Sequence, residues 1–315
     1  MFQIIKNGTV IPFMKIKGTV ELICVLLVVA SIVAMCTKGL NWGLDFTGGV
    51  VIETEFTRGV DINEVKAAYA KEGIAGSAQH FGSQKDVMVR VAPKDGLDQQ
   101  TVTTKVMAAS KTIDKDVKLS RTEYVGPAVG EELVESGLLA IVVSLIAILA
   151  YVAFRFEWRM ATGAVISLIY DVIVVLGVFS VMQIEYDLTV LAAVLTVVGY
   201  SLNDKIVVFD RIRENASVLP RNISMHELFN ISLTQTLSRT IITSGSTLIT
   251  VVSLLIFGGE MIYGFSLALF VGIVFGTISS IYVASTWTLV LKITREALVP
   301  AKIEKKESDG YETMD

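Results

Sequence analysis

Long apolar runs alternate with short polar connections over most of this chain. The runs cover residues 19–37, 133–154, 160–182, 188–209, 240–257 and 265–291. Each run is long enough to cross a bilayer core of roughly 30 Å as an α-helix. The first run is also longer than the apolar core of a cleavable signal peptide, which takes about 7–15 residues. The pattern therefore predicts an α-helical membrane protein with six transmembrane helices.

Residues 38–130, between the first two apolar runs, are patterned as a small soluble domain. Asp61 is placed to cap a helix, and Val87, Val89 and Val91 keep the period of two that a strand requires. The predicted elements are strands at 50–56, 74–81, 86–92 and 117–125 and helices at 61–73 and 97–113. Their βαββαβ order is that of ferredoxin-like α+β domains, whose helices share one face of an antiparallel sheet.

The short connections between the predicted spans differ in positive charge. Lys and Arg precede the first span, lie between the second and third and between the fourth and fifth, and follow the sixth. The connections at 183–187 and 258–264 carry neither residue. Because cytoplasmic connections are enriched in Lys and Arg, the sequence predicts that both termini are cytoplasmic. The domain at 38–130 is then predicted to lie outside, in the periplasm.

These predictions divide the chain into five segments. They are a cytoplasmic N-terminus at 1–18, transmembrane helix 1 at 19–37, a periplasmic ferredoxin-like domain at 38–130, transmembrane helices 2–6 within 131–292 with a cytoplasmic loop at 210–239, and a cytoplasmic tail at 293–315.

Composition agrees with a membrane protein and narrows the chemistry. Of the 315 residues 52% are hydrophobic and 18% are charged, whereas about 25% are charged in a typical soluble domain. Cys24 and Cys36 both fall in the first apolar run, where a disulfide has nothing to join. The sequence contains no phosphate-binding loop, zinc-ligand cluster or nucleophile elbow. We therefore predict no enzymatic activity, no metal site and no nucleic-acid partner.

Asp171, Asp204 and Lys205 are charged residues that lie well inside the predicted spans, away from the outer ends of the apolar runs. Inserting a charged group at the centre of a membrane-spanning helix costs roughly 2.5–3.5 kcal/mol, so such a residue is expected to have a structural or functional role. An ion or proton path is one such role, and a buried ion pair that only fixes helix packing is the other. Asp204 lies about six residues, or about 9 Å, from the predicted inner end of span four. Asp171 lies about twelve residues from the inner end of span three.

The fifth span is rich in hydroxyl groups and begins at Arg239. Its hydroxyl residues are Thr240, Thr243, Ser244, Ser246, Thr247, Thr250 and Ser253. Hydroxyls can line a hydrated path or bond neighbouring helices to each other, and both interpretations stay open. Just before this span, residues 225–238 mix apolar and polar positions. That mixture predicts a helix lying on the inner membrane surface.

Small residues mark two further features. Gly272, Gly276, Ser280 and Ala284 recur every fourth residue in the sixth span, a stripe that permits close helix approach. Asp45, Gly48 and Gly49 lie where the first span meets the soluble domain. The two glycines allow a tight turn into the first strand, so this segment is interpreted as a structural junction.

Several ordered motifs give the chain a family resemblance over nearly its whole length. They are 43–49 (GLDFTGG), 125–133 (VGPAVGEEL), 198–204 (VGYSLND) with 210–215 (DRIREN), 233–240 (LTQTLSRT) with 243–245 (TSG), and 257–259 (FGG) with 264–265 (GF). In these motifs the chain resembles the SecF family of the bacterial protein-export machinery. That family looks like one half of a transporter of the RND superfamily, with SecD as the other half.

The resemblance implies a function that the residues alone do not name. It implies a multi-pass subunit of the bacterial inner membrane that, with SecD, uses a proton or sodium gradient to promote late stages of preprotein export. The implied partners are SecD, the SecYEG channel with SecA, an unfolded preprotein, and YajC and YidC as further candidates. No cofactor is implied beyond the transported proton or sodium ion.

The resemblance also implies roles for particular residues. Asp204 and Arg239 match the family positions implicated in ion coupling, and Asp171, Asn203 and Thr243 are candidates for an ion path or its support. Lys205 stands where family members commonly carry a small hydroxyl residue, so it is a further candidate. The Lys205 side chain is expected to pair with Asp204, to extend toward the inner surface, or to pair with another residue. Because of this departure from the family pattern, the coupling ion stays open between proton and sodium.

Two other functions compete with export. One is an ion-coupled small-molecule exporter of the RND type, although a single small outside domain is too small to form a drug-binding site by itself. The other is an intramembrane aspartyl protease that pairs Asp171 with Asp204. The Gly-x-Gly-Asp motif of such proteases is missing, since the chain has Ser-Leu-Asn-Asp at 201–204. The predicted depths of the two aspartates also differ by about 9 Å, which argues against a shared water.

Overall fold

The computed structural model describes residues 9–74, 76–91 and 99–299. The membrane part consists of α1 (Lys17–Lys38), α5 (Pro127–Arg155), α6 (Trp158–Met182), α7 (Leu188–Val218), α8 (Met225–Phe257), α9 (Tyr263–Ile281) and α10 (Val283–Val290). The helices α9 and α10 follow each other with only Tyr282 between them and form one span. Six helical segments are thus long and apolar enough to cross a membrane, as the sequence predicted.

The six spans divide into three central and three outer ones. About half of the apolar stretch is buried within the chain in α6, in α7 and in the α9–α10 span, but less than a fifth is buried in α1, α5 and α8. The central three therefore form the core against which the others pack. The outer helices keep broad apolar faces for lipid or for another chain.

The small-residue stripe of α9 packs against α7 inside the chain. A Cβ atom placed on Gly272 would lie 2.2 Å from a methyl group of Val197, and one on Gly276 would lie 3.0 Å from the hydroxyl of Ser201. Both positions must therefore stay without a side chain for α7 and α9 to approach this closely. Ala284, further along the stripe, is fully buried, and a Cβ on Gly163 of α6 would meet its carbonyl at 2.6 Å.

The soluble part follows the order βαββαβ. Its elements are β2 (Gly49–Glu55), α3 (Ile62–Lys71), β3 (Gly76–Phe81), β4 (Ser83–Val91), α4 (Gln99–Ile113) and β5 (Lys118–Val125). The strands form one antiparallel sheet in the order β3-β4-β2-β5. As predicted, Asp61 caps α3, since its carboxylate accepts a hydrogen bond of 2.8 Å from the Asn63 amide.

Both helices pack on the same face of this sheet. Val65 of α3 and Val106 of α4 share an apolar cluster with Ile52 of β2 and Val89 of β4, and all four are fully buried. The opposite face carries a smaller apolar cluster around Val51. One detail differs from the prediction: β4 begins at Ser83, three residues before the strand predicted at 86–92, so the hairpin turns at Gly82. Gly82 has φ +75°, a backbone conformation that glycine adopts without strain.

The connection between spans four and five also differs from the prediction. Residues 210–239, predicted as a loop with a separate surface helix at 225–238, belong mostly to two long helices, because α7 runs on to Val218 and α8 is continuous from Met225. The apolar residues near the start of α8 are buried against α7, where Phe229 shares an apolar cluster with Phe209 and Ile212. Packing against α7 thus takes the place of the predicted contact with the membrane surface.

The close contact between α7 and α9 generates a stability prediction. Gly272→Ala should destabilise the protein by about 1–3 kcal/mol, because the new methyl group has to displace Val197. Gly199→Ala in α7 is the matched control, since nothing lies within 4 Å of its added Cβ. Thermal unfolding of the purified full chain in detergent measures both changes. Equal unfolding temperatures for the two variants would contradict the close packing.

Candidate ion-coupling site

A fully buried ion pair joins α6 and α7 in the centre of the membrane part. The ammonium nitrogen of Lys205 lies 2.9 Å from Oδ2 of Asp171, and both side chains are 0% exposed. Each charge would be very costly at this depth by itself, whereas as a pair they neutralise each other. Removing one partner of such a pair typically costs about 3–5 kcal/mol.

Two serines complete the surroundings of this pair. Ser201 lies one helical turn before Lys205, and its hydroxyl donates a 2.5 Å hydrogen bond to Asp171 Oδ2. The Lys205 ammonium also contacts the Ser201 hydroxyl and lies 3.4 Å from the hydroxyl of Ser279 on α9. The absence of a side chain at Gly276 leaves room for this arrangement. All three central spans therefore meet at one polar cluster.

Part of this cluster has no hydrogen-bond partner within the described residues. The second carboxylate oxygen of Asp171, Oδ1, is one such atom, and the hydroxyl of Ser167 one turn earlier on α6 is another. Both side chains are 0% exposed. Unpaired polar atoms are rare in protein interiors, so the cluster has hydrogen-bonding capacity that Lys205 leaves unused.

Asp204 is the next residue to Lys205 but interacts with a different helix. It is 3% exposed, and the hydroxyl of Ser244 on α8 lies beside its carboxylate. The Ser244 hydroxyl also lies 3.0 Å from that of Thr277 on α9. Successive positions on a helix point in different directions, which explains why Asp204 faces α8 while Lys205 faces α6. Of the three arrangements expected for Lys205, the structure shows pairing elsewhere, with Asp171.

The remaining predicted site residues lie around Asp204 at the edge of the chain. Arg239 and Asn203 are both exposed, and Arg239 is near enough for its charge to act on Asp204 without a direct salt bridge within the described residues. Thr243 uses its hydroxyl to donate to the Arg239 carbonyl at 3.0 Å. The structure therefore groups Asp204, Ser244 and Arg239 at the junction of α7 and α8.

One sequence-based argument about depth is wrong. Asp171 bonds to Ser201 and Lys205, which flank Asp204 on the same helix, so the 9 Å difference in depth predicted for the two aspartates does not hold. The estimate took residue 209 as the inner end of span four, but α7 continues to Val218. Asp171 is paired with Lys205 and Asp204 faces α8, so the two carboxylates do not face each other.

A second cluster ties the soluble domain to the connection between α6 and α7. The segment after α1 forms β1 (Asn41–Trp42) and a short helix α2 (Leu44–Thr47), and β1 pairs in parallel with β6 (Glu185–Tyr186). The amide of Gly43 donates to the Tyr186 carbonyl at 2.8 Å, and the amide of Leu188 donates to Asp45 Oδ2 at 3.0 Å. The segment predicted as a structural junction thus docks on the start of α7.

Arg90 of β4 reinforces this junction. Its guanidinium lies 2.5 Å from Oε1 of Glu185 and donates to the Trp42 carbonyl at 2.7 Å. The same carboxylate oxygen accepts from the Leu44 amide at 3.2 Å. Burial raises the pKa of Glu185, and the neighbouring Arg90 charge opposes that rise. Gly48 and Gly49, both at positive φ, then turn the chain into β2.

Sequence reasoning missed several residues of these two clusters. Ser201 could have been found from its position one turn before Lys205, and Ser279 from its place next to the small-residue stripe. Arg90 and Glu185 lie 95 positions apart in the chain and belong to different parts of it. No pattern in the sequence joins them, because their contact arises only when the domain docks on the membrane part.

Comparisons with known proteins identify similar chains. Residues 105–294 match the family model for the protein export membrane protein SecD/SecF, C-terminal, and residues 33–60 match that for the SecD/SecF GG motif. The chain is 49% identical to the protein translocase subunit SecF of Vibrio alginolyticus over 98% of both chains. It is 46% identical to that of Escherichia coli O157:H7, over 90% of this chain and 88% of the relative.

Two solved structures of SecDF are also similar. With the crystal structure of SecDF from Thermus thermophilus the TM-score is 0.82 at 34% identity, and 92% of this chain is covered. With SecDF in a super-membrane-facing form the TM-score is 0.68, also at 34% identity. In both cases this chain spans 40% of the length of the solved chain.

The junction generates a pH-dependent prediction. In Arg90→Met, hydrogen exchange of the amides at 41–48, corrected for intrinsic rates, should be about tenfold faster at pH 8 than in the unaltered protein. The difference should shrink toward pH 5. A buried carboxyl with a raised pKa stabilises the docked state in its neutral form, and this stability is lost as the pH rises through that pKa.

The control for this experiment removes the titrating group. Adding Glu185→Gln to Arg90→Met replaces the carboxyl by a neutral side chain of similar shape, so the difference between this double variant and Glu185→Gln alone should not vary with pH. The same exchange rates in Arg90→Met and in the unaltered protein at pH 8 would show that Arg90 does not hold the junction.

Proposed function

Because the chain belongs to the SecF family of protein translocase subunits, we propose that it works with SecD to drive late preprotein export with an ion gradient. It is a multi-pass protein of the inner membrane and an accessory subunit of the Sec translocase. The coupling ion is a proton or sodium. We propose no enzymatic step, and no cofactor is needed beyond the transported ion.

The environment of Asp204 carries the proposal of ion coupling. Asp171 and Asp204 are both buried in the central helices, and Lys205 forms its salt bridge with Asp171, although its charge also acts on Asp204. Within the described residues, Asp204 has a hydroxyl partner in Ser244 and no ion pair. A buried carboxylate that is not held in a salt bridge is the one that can take up and release a proton or a cation. Asp204 is therefore the proposed coupling residue.

Arg239 is the proposed switch partner of Asp204. Its charge acts on the carboxylate from the next helix without a direct salt bridge. A small shift of α8 along α7 would strengthen or weaken this interaction, so the ionised and the ion-loaded states of Asp204 favour different helix positions. Moving one charge through the membrane potential supplies about 2.3 kcal/mol per 100 mV, which is enough to bias such an equilibrium.

SecD is the proposed occupant of the outer helix faces. Asn203 and Arg239 are exposed on the outside of this chain although they lie in the membrane part, and exposed polar groups need partners or water there. This chain spans 40% of the solved SecDF chain, so a partner that corresponds to the remaining part would be long enough to cover Asn203 and Arg239. Asn203 and Thr243 then support the coupling site at the boundary between the two subunits.

The soluble domain is proposed to be a ferredoxin-like domain on the periplasmic side. Its βαββαβ order and the strand order β3-β4-β2-β5 support this class, and the distribution of Lys and Arg supports the orientation, with both termini in the cytoplasm. In this position the domain could reach an unfolded preprotein leaving SecYEG, which SecA feeds from the other side. YajC and YidC are further proposed partners.

Asp204→Asn tests the proposed coupling. The amide keeps the size of the side chain and can still bond to Ser244, but it cannot ionise. The complex with SecD should assemble normally, and acceleration of preprotein export by an imposed gradient in membrane vesicles should be lost. Arg239→Ala should give the same loss, with Arg239→Lys retaining part of the function because it restores the charge.

Asp210→Asn is the matched control for Asp204→Asn. It makes the same change six residues further along α7, where Asp210 forms a partly exposed ion pair with Arg155 at 2.6 Å. Such pairs contribute little to stability, so export should stay near that of the unaltered protein. Full gradient-driven export by Asp204→Asn would rule out Asp204 as the coupling residue.

A further inference from the structure

We propose that Lys205 acts as a tethered counter-cation. Its ammonium occupies an oxygen-lined site for a monovalent cation, formed by Asp171, Ser201 and Ser279, and so excludes inorganic cations from it. Lys205 is then a specificity-determining residue of this chain. The proposal concerns the Asp171 cluster and does not depend on ion coupling at Asp204.

The surroundings of the ammonium have the composition of a cation site. Around the Lys205 nitrogen lie Oδ2 of Asp171 at 2.9 Å, the hydroxyl of Ser279 at 3.4 Å and the carbonyl of Ser201 at 3.5 Å, and the Ser201 hydroxyl is also in contact. Every one of these atoms is an oxygen, and one carries negative charge. Carboxylate, hydroxyl and carbonyl oxygens are the ligands that hard cations prefer.

Burial makes a counter-charge obligatory at this place. Asp171 is 0% exposed and cannot reach solvent, so its ionised form needs a cation beside it. The structure supplies that cation from the chain itself. If only the charge matters, any cation of suitable size could replace the ammonium once the lysine side chain is gone.

The cluster also has room and free acceptors for a replacement. Asp171 Oδ1 and the Ser167 hydroxyl have no partner within the described residues, although both side chains are fully buried. Truncating Lys205 beyond its Cβ would leave the space of three methylenes and an ammonium beside the carboxylate. The free acceptors and this space together suit a sodium ion with a water molecule.

Lys205→Ser opens the proposed site and keeps an oxygen at position 205. The probe is sodium chloride, compared with choline chloride at equal ionic strength, because choline is too large for the space of one side chain. The unfolding temperature of the purified complex with SecD in detergent is measured. Sodium at about 300 mM should raise it by about 2–4 °C relative to choline in Lys205→Ser, and by nothing measurable in the unaltered protein.

Two further variants separate a cation site from a general salt effect. Lys205→Ser with Asp171→Asn keeps the space but removes the negative charge, so the sodium effect should disappear. Lys205→Met fills the space with an uncharged chain of similar length and should also show none. The sodium effect is expected only where the charge and the space are both present.

Several outcomes would overturn the proposal. One is an equal sodium effect in the unaltered protein and in Lys205→Ser, and another is its absence in a folded Lys205→Ser. If Lys205→Ser fails to fold in sodium while the double variant folds, no inorganic cation replaces the ammonium. If neither folds, Lys205 is needed for its packing rather than its charge. None of these readouts depends on export, so they are distinct from a failure of Asp204 to couple.

Discussion

The buried pair of Asp171 and Lys205 is the constraint on which the membrane part depends. Neither charge is tolerable by itself in the centre of a membrane protein, so α6 and α7 must keep the two side chains in contact. Ser201 and Ser279 add hydrogen bonds to the pair, and Gly276 provides the space in which α9 closes over it. The three central helices are therefore held together by one polar cluster as well as by apolar packing.

This pair also gives Asp204 its distinct character. Because the Lys205 ammonium is bound to Asp171, it forms no salt bridge with the carboxylate next to it in sequence, on which its charge still acts. Asp204 instead faces α8, with a hydroxyl partner in Ser244 and the charge of Arg239 in the surroundings. Two neighbouring residues on one helix turn thus have different surroundings, since Lys205 joins α7 to α6 while Asp204, the proposed coupling residue, faces α8.

The two clusters are mechanically connected through α7. Its central part carries Ser201, Asp204 and Lys205, and its first residues hold the junction through the bond from the Leu188 amide to Asp45. Arg90 and Glu185 add an ion pair between the soluble domain and the connection that leads into α7. A movement of α7 that accompanies a change at Asp204 would therefore reach the soluble domain directly.

The six spans, the βαββαβ order, the Asp61 cap and the small-residue stripe were predictable from the sequence, because each depends on local periodicity or on a single turn. The sequence also identified Asp171, Asp204 and Lys205, since charge within an apolar run is visible in one dimension. Three features became visible only in the folded chain: Lys205 pairs with Asp171, α8 begins fifteen residues before its predicted span, and Arg90 contacts Glu185. These contacts join distant segments, and the direction in which a side chain points across a helix interface is set by packing rather than by its neighbours in the chain.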